Sequence, residues 1–62
     1  MGNVRPRQDT GRLYFDFMYA GVRCREQTLL PDSPSNRKKL KSIMERIEAE
    51  IVLGVFDYAK TF

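Results

Sequence analysis

Histidine is missing from this 62-residue chain, and cysteine occurs once, as Cys24. Without histidine the commonest general base and metal ligand is unavailable. One cysteine excludes an internal disulfide and a cysteine-rich zinc site, and it agrees with a reducing compartment. No apolar stretch approaches a membrane span of about 20 residues, and the N-terminus carries no signal-peptide h-region. Gly2 is followed by Pro6 where a myristoylation motif needs Ser or Thr. Asn3 and Asn36 are each followed two residues on by a basic residue, so neither is a glycosylation acceptor.

What is present describes one small domain. A chain of this size buries only about 60% of the surface it exposes unfolded, so its core is thin. Its hydrophobic fraction of 42% and charged fraction of 31% are those of an ordinary globular domain. A net charge of +3 and a pI near 9.4 favour polyanionic partners without choosing among them.

Val4–Arg7 is a short basic run broken by Pro6, which suits an edge strand or an arm because proline cannot donate to a ladder. Gln8–Gly11 supplies turn residues. Residues 12–19 and 22–28 alternate in the period of strands, with Ala20-Gly21 between them. A tight reversal there pairs Tyr19 with Val22, Phe17 with Cys24, Phe15 with Glu26 and Leu13 with Thr28. The opposite face then pairs Met18 with Arg23, Asp16 with Arg25 and Tyr14 with Gln27. Slipping by one residue would set Phe15 and Phe17 against the arginines, so burial selects this register. Ala-Gly is not a favoured two-residue turn, which leaves room for a slightly longer loop of the same parity. Glu26 falls on the apolar face and is expected at the rim or beside a cation, since a lone buried carboxylate costs several kcal/mol.

Ser33 before Pro34 marks a helix start, a hydroxyl N-cap followed by proline at the first helical position. The helix is expected from about Pro34 to Leu53, roughly 30 Å long. Leu40, Ile43, Met44, Ile47 and Ile51 form one buried stripe. Gly54 fits a C′ position, with Val55-Phe56 folding back as its hydrophobic contact. The expectation is α+β: a three-stranded antiparallel sheet with one long helix packed on one face.

The other face of that sheet carries Arg12, Tyr14, Asp16, Met18, Arg23, Arg25 and Gln27. Guanidinium groups fork onto phosphate or guanine, and the amide and phenol bond base edges. A ribbon of two or three strands is narrow enough for the major groove, about 12 Å wide. The bland alternative is a solvated face with Asp16 and Arg25 as a weak cross-strand pair. Arg37, Lys38, Lys39 and Lys41 crowd the first helical turns with no acid among residues 33–42, against the macrodipole. Together with backbone N–H groups they would form a phosphate clamp, and the bland reading is a solvated helix end. Phe15 and Phe17 read as core, and Cys24 as a small buried hydrophobe with no histidine to activate it. Asp16 and Glu26 lie on opposite faces and make no catalytic pair. Neither cofactor nor metal is expected.

"TGRLYFDFMYAGVRCREQTLL" followed by "NRKKLKSIMERIEAEIVLGVFDYAKTF" resembles the N-terminal arm-type DNA-binding domain of phage-type integrases, members of the tyrosine recombinase family. The most specific stretches are Gly21–Glu26, Asn36–Lys38, Ile47–Ile51 and Gly54–Asp57. The resemblance implies a sheet inserted into the major groove of arm sites, supported from behind by a helix. Carried over by position, it makes Arg23, Arg25 and Gln27 base or phosphate contacts, with Arg12 and Tyr14 beside them and Arg5 and Arg7 following the backbone from the edge. It implies a single domain over 1–62 excised from a longer integrase, with 55–62 opening a linker to a following domain. It also implies double-stranded DNA as partner, other integrase domains or protomers as further partners, and a bacterial cytoplasm as location. Tyr14, Tyr19 and Tyr58 are not the recombinase nucleophile, because its arginine and histidine constellation is absent. The rival reading is a protein-interaction module docking a recombination partner or a neighbouring integrase. Structured RNA is a weaker third, since RNA readers present more exposed aromatics.

Overall fold

The structure is a computed structural model and describes residues 2–62. Strand β1 covers Asn3–Pro6, β2 Arg12–Tyr19 and β3 Val22–Pro31; helix α1 covers Pro34–Leu53 and the single-turn helix α2 Tyr58–Thr61. The strands form one antiparallel sheet in the order β1-β2-β3. Pro6 ends the edge strand, where its missing N–H leaves no gap in an interior ladder.

The hairpin register is the one burial demands. Tyr19 faces Val22, Phe17 faces Cys24, Phe15 faces Glu26 and Tyr14 faces Gln27. The longer loop does not occur: Ala20 and Gly21 both take positive φ, 52° and 77°, and close a two-residue turn. Positive φ at both central positions matches the twist of the strands, and alanine accepts it at a cost of about 1–2 kcal/mol. The expected pairing of Leu13 with Thr28 gives way to a bulge. Arg12 faces Pro31, so three β3 residues span the interval that Leu13 alone spans on β2. The Thr28 hydroxyl bridges the gap, donating to the Leu13 carbonyl at 2.8 Å and accepting from the Leu30 N–H at 3.2 Å.

Helix α1 begins and ends as its sequence dictates. The Ser33 Oγ accepts from the Asn36 N–H at 3.1 Å, with Pro34 following. At the far end Gly54, with φ of 74°, donates to the Ile51 carbonyl, and the Val55 N–H reaches the Glu50 carbonyl at 2.9 Å. That pair of bonds satisfies carbonyls the helix leaves open. Val55 is exposed, and it is Phe56 that turns back into the core.

Leu40, Met44 and Ile47 of α1 bury against Leu13, Phe15 and Phe17 of β2, with Ile43 and Ile51 packed at the margin. Leu13 and Ile47 are fully shielded from water. Cys24 is half-buried at the edge of this core, close to its expected role. Within residues 55–62, expected to open a linker, Phe56, Tyr58 and Phe62 pack against the same core. The Phe62 ring stacks on Phe17 at 5.9 Å, Phe56 meets Tyr19 edge-on at 5.0 Å, and Tyr58 lies between them and β3. Tyr58 donates its hydroxyl hydrogen to Glu26. Glu26 is half-buried at the rim, one of the two placements expected, and its partner is a phenol rather than a cation; the bond holds the Tyr58 hydroxyl protonated well above its ordinary range.

Candidate nucleic-acid interface

With α1 against one face, the alternation of the strands sends every second side chain to the other. Met18 and Arg23 form one cross-strand row there, Asn3, Asp16 and Arg25 the next, and Arg5, Tyr14 and Gln27 the third. Arg12 and Arg7 extend the face beyond Tyr14. Arg5, Arg7, Tyr14, Arg25 and Gln27 line one shallow concavity, so the structure brings together five of the residues singled out from sequence.

Four of the expected cations carry carboxylate partners that the sequence did not reveal, three of them through two-bond forks. Arg23 grips Asp16 with two bonds, Nε to Oδ1 at 3.0 Å and Nη2 to Oδ2 at 2.7 Å. Arg7 grips Asp9 in the same forked way at 3.0 and 3.1 Å, and its Nη1 donates to Gln27 Oε1 at 2.8 Å. Arg37 grips Asp32 at 2.5 and 2.9 Å. Each fork holds its carboxyl below the usual carboxylate range, chiefly through the hydrogen bonds from the arginine.

The expected Asp16–Arg25 pair is therefore replaced by Asp16–Arg23. Arg23 sits on the diagonal, a separation of roughly 7–8 Å that a long guanidinium side chain spans, and its two-bond fork takes the carboxylate. Arg5 approaches Asp16 only to 3.7 Å, from the other side. Asp16 is left 6% exposed at the centre of the open face, while the side chain of Arg23 remains 58% exposed. Among the described residues Arg12 and Arg25 have no ion-pair partner.

The helix lysines lie elsewhere. At 100° per residue, Lys38 projects roughly 160° around α1 from Leu40, away from the sheet, and Lys39 and Lys41 fall on opposite flanks. All three are exposed. Asp32, one residue before the cap, places the missing acid beside the helix start and offsets part of the unfavourable charge order. The Ser33 hydroxyl and the Ser33 carbonyl already engage the Asn36 and Arg37 N–H groups. The clamp expected at this end thus has Arg37 and two backbone donors occupied within the chain.

Among the described residues no three His, Cys, Asp or Glu side chains gather as a metal site.

The profile of the Arm DNA-binding domain family matches residues 1–62, and the chain belongs to that family, an arm-type DNA-binding domain found in phage integrases. DNA is accordingly its partner, and a domain of this kind is not itself catalytic. No curated protein and no solved structure matches the chain.

Proposed function

We propose that the domain binds duplex DNA by laying the open face of its sheet into the major groove, and that it serves as the arm-site module of a phage-type tyrosine recombinase. One observation carries the first part: the sheet has an apolar face sealed by α1 and the C-terminal aromatics, and an opposite face rich in guanidinium groups that no element among the described residues covers. Three strands spaced about 4.8 Å apart span roughly 10 Å, which fits a groove about 12 Å wide.

On this face Arg5, Arg12 and Arg25 supply positive charge to the flanking phosphates, and Tyr14, Gln27 and Arg23 reach base edges. Arg7, held by Asp9, braces Gln27 from the rim and adds no phosphate contact of its own. Lys39 and Lys41 meet phosphates only where the duplex bends around the flanks, and Lys38 faces away from a duplex in this position. Within a recombinase such a module would bind arm sites while other domains bind the core. Holding two sites on one chain raises effective concentration and favours a bent, bridged DNA. The setting would be the cytoplasm of a bacterial host.

The test is charge reversal on the two sides of the molecule, read by fluorescence anisotropy with a random-sequence duplex of about 20 bp. Arg25→Glu is expected to weaken binding by more than about tenfold and Lys38→Glu by much less. Equal losses, or the larger loss at Lys38, would contradict sheet docking and favour contact through the helix.

A further inference from the structure

Asp16 is an unexpected residue at the middle of a surface that meets phosphate. It stands on the central strand, faces the open side, and is 6% exposed because Arg5, Arg23 and Arg25 surround it. A carboxylate there repels the DNA backbone and cancels one of the charges that would bind it. The sheet does not need Asp16 for its core, which lies on the other face.

The geometry of its bond to Arg23 shows what the acid does. A guanidinium carries five N–H donors in a rigid fork. Asp16 takes the Nε–H and one Nη2–H. Three donors remain, among them the outward pair formed by one hydrogen on Nη1 and one on Nη2. With the inner edge pinned, that outer pair is held at a fixed orientation on a side chain still 58% exposed. Two parallel donors on the outer edge match the O6 and N7 acceptors that guanine presents in the major groove.

From this we infer that Asp16 and Arg23 form a base-reading unit in which Asp16 is the positioning residue, aiming the outer fork of Arg23 at a guanine while suppressing its use as a phosphate contact. The inference rests on the proposed docking of the open face in the groove. Arg25 provides the contrast on the same strand: two residues away, on the same face, with no carboxylate forked onto it among the described residues. It is the general electrostatic contact, and Arg23 the selective one. Pre-orientation removes rotamer freedom before binding, so less is lost when the guanine contact forms.

Asp16→Asn tests this, with Arg23→Lys beside it. Two probes are needed: a duplex selected by the wild-type chain from a random-sequence library, with its G·C pairs replaced one at a time by A·T, and an unselected random-sequence duplex. The wild type is expected to lose on the order of tenfold in affinity when one particular guanine is replaced. Asp16→Asn should lose most of that discrimination, bind the unselected duplex more tightly, and steepen its salt slope by about one. Arg23→Lys keeps the charge but not the fork, and should lose the same discrimination; the double variant should lose no more than either single one. A merely structural role for Asp16 would weaken both duplexes alike and leave the salt slope unchanged. That outcome overturns the inference, as does unchanged discrimination in Asp16→Asn. If circular dichroism shows that Asp16→Asn does not fold, unchanged discrimination in Arg23→Lys overturns it instead. A wild-type chain that binds neither duplex overturns the groove-docking reading, and this inference with it.

Discussion

Raising the salt concentration measures how many cations of this domain release counterions from DNA, and the structure changes the number expected. Counted from sequence, about five cations meet phosphate, which gives a slope of log affinity on log salt of about −4 to −5. Three of the arginines among the wider set of sequence candidates are held by carboxylates: Arg7 by Asp9, Arg23 by Asp16 and Arg37 by Asp32. Lys38 projects from the far side of α1. The cations left to the open face are Arg25, Arg12 and Arg5, the last only grazing Asp16 at 3.7 Å. About three contacts at 0.9 each give a slope near −2.7. Between 50 and 200 mM salt, affinity should then fall by about 40-fold, and by about 12-fold for Arg25→Ala, whose slope is near −1.8. Fluorescence anisotropy of a labelled duplex across that range gives both slopes. A wild-type slope steeper than about −4.5 would mean that the ion pairs open on DNA, and the reasoning from them would fail. A slope flatter than about −1, or one that Arg25→Ala leaves unchanged, would remove the open face as the phosphate contact.

Two further predictions concern the scaffold. Ala20→Asn places an Asn-Gly pair in the positive-φ turn and should stabilise the domain by about 0.5–1 kcal/mol, read from the midpoint of urea unfolding; a lowered midpoint would contradict the turn geometry. Because the folded pKa of Tyr58 lies above its unfolded value near 10, its bond to Glu26 contributes fully below pH 10, and the contribution is lost as pH rises past 10 toward the folded value. Stability measured from pH 8 to 11 should therefore decline at the alkaline end, less steeply in Tyr58→Phe; identical profiles would exclude the bond as its source.

The elements that sequence describes well are those governed by local chemistry. The cap at Ser33-Pro34, the stop at Gly54 and the stripe from Leu40 to Ile51 need nothing beyond α1 itself to be recognised. Register in the hairpin was legible as far as Tyr14–Gln27, because one slip would bury arginine. It failed at Leu13, where Thr28 can replace a ladder bond with its own hydroxyl and so permits a bulge that periodicity does not signal. The return of residues 57–62, beyond the fold-back expected at Val55-Phe56, was hidden for another reason. Tyr58 and Phe62 stand at a helical i, i+4 spacing, but a single turn is too short to signal an element, and only the core they cover gives it a meaning. In the candidate site, sequence assigned side chains to faces correctly but not charges to partners. Asp16 and Arg23 are seven residues apart and meet on a diagonal, a contact that exists only once the strands are twisted together. A direct cross-strand reading gives Asp16 to Arg25 instead, and so confuses the paired arginine with the unpaired one.

The most direct measurement is a titration of the isotopically labelled chain with duplex DNA, following backbone amide shifts by NMR. Docking through the open face predicts the largest changes at Arg5, Tyr14, Asp16, Arg25 and Gln27, with Lys38, Ser42, Glu45 and Ala49 on the outer side of α1 almost still. Changes concentrated on those four helix positions, with the strands unmoved, would contradict it.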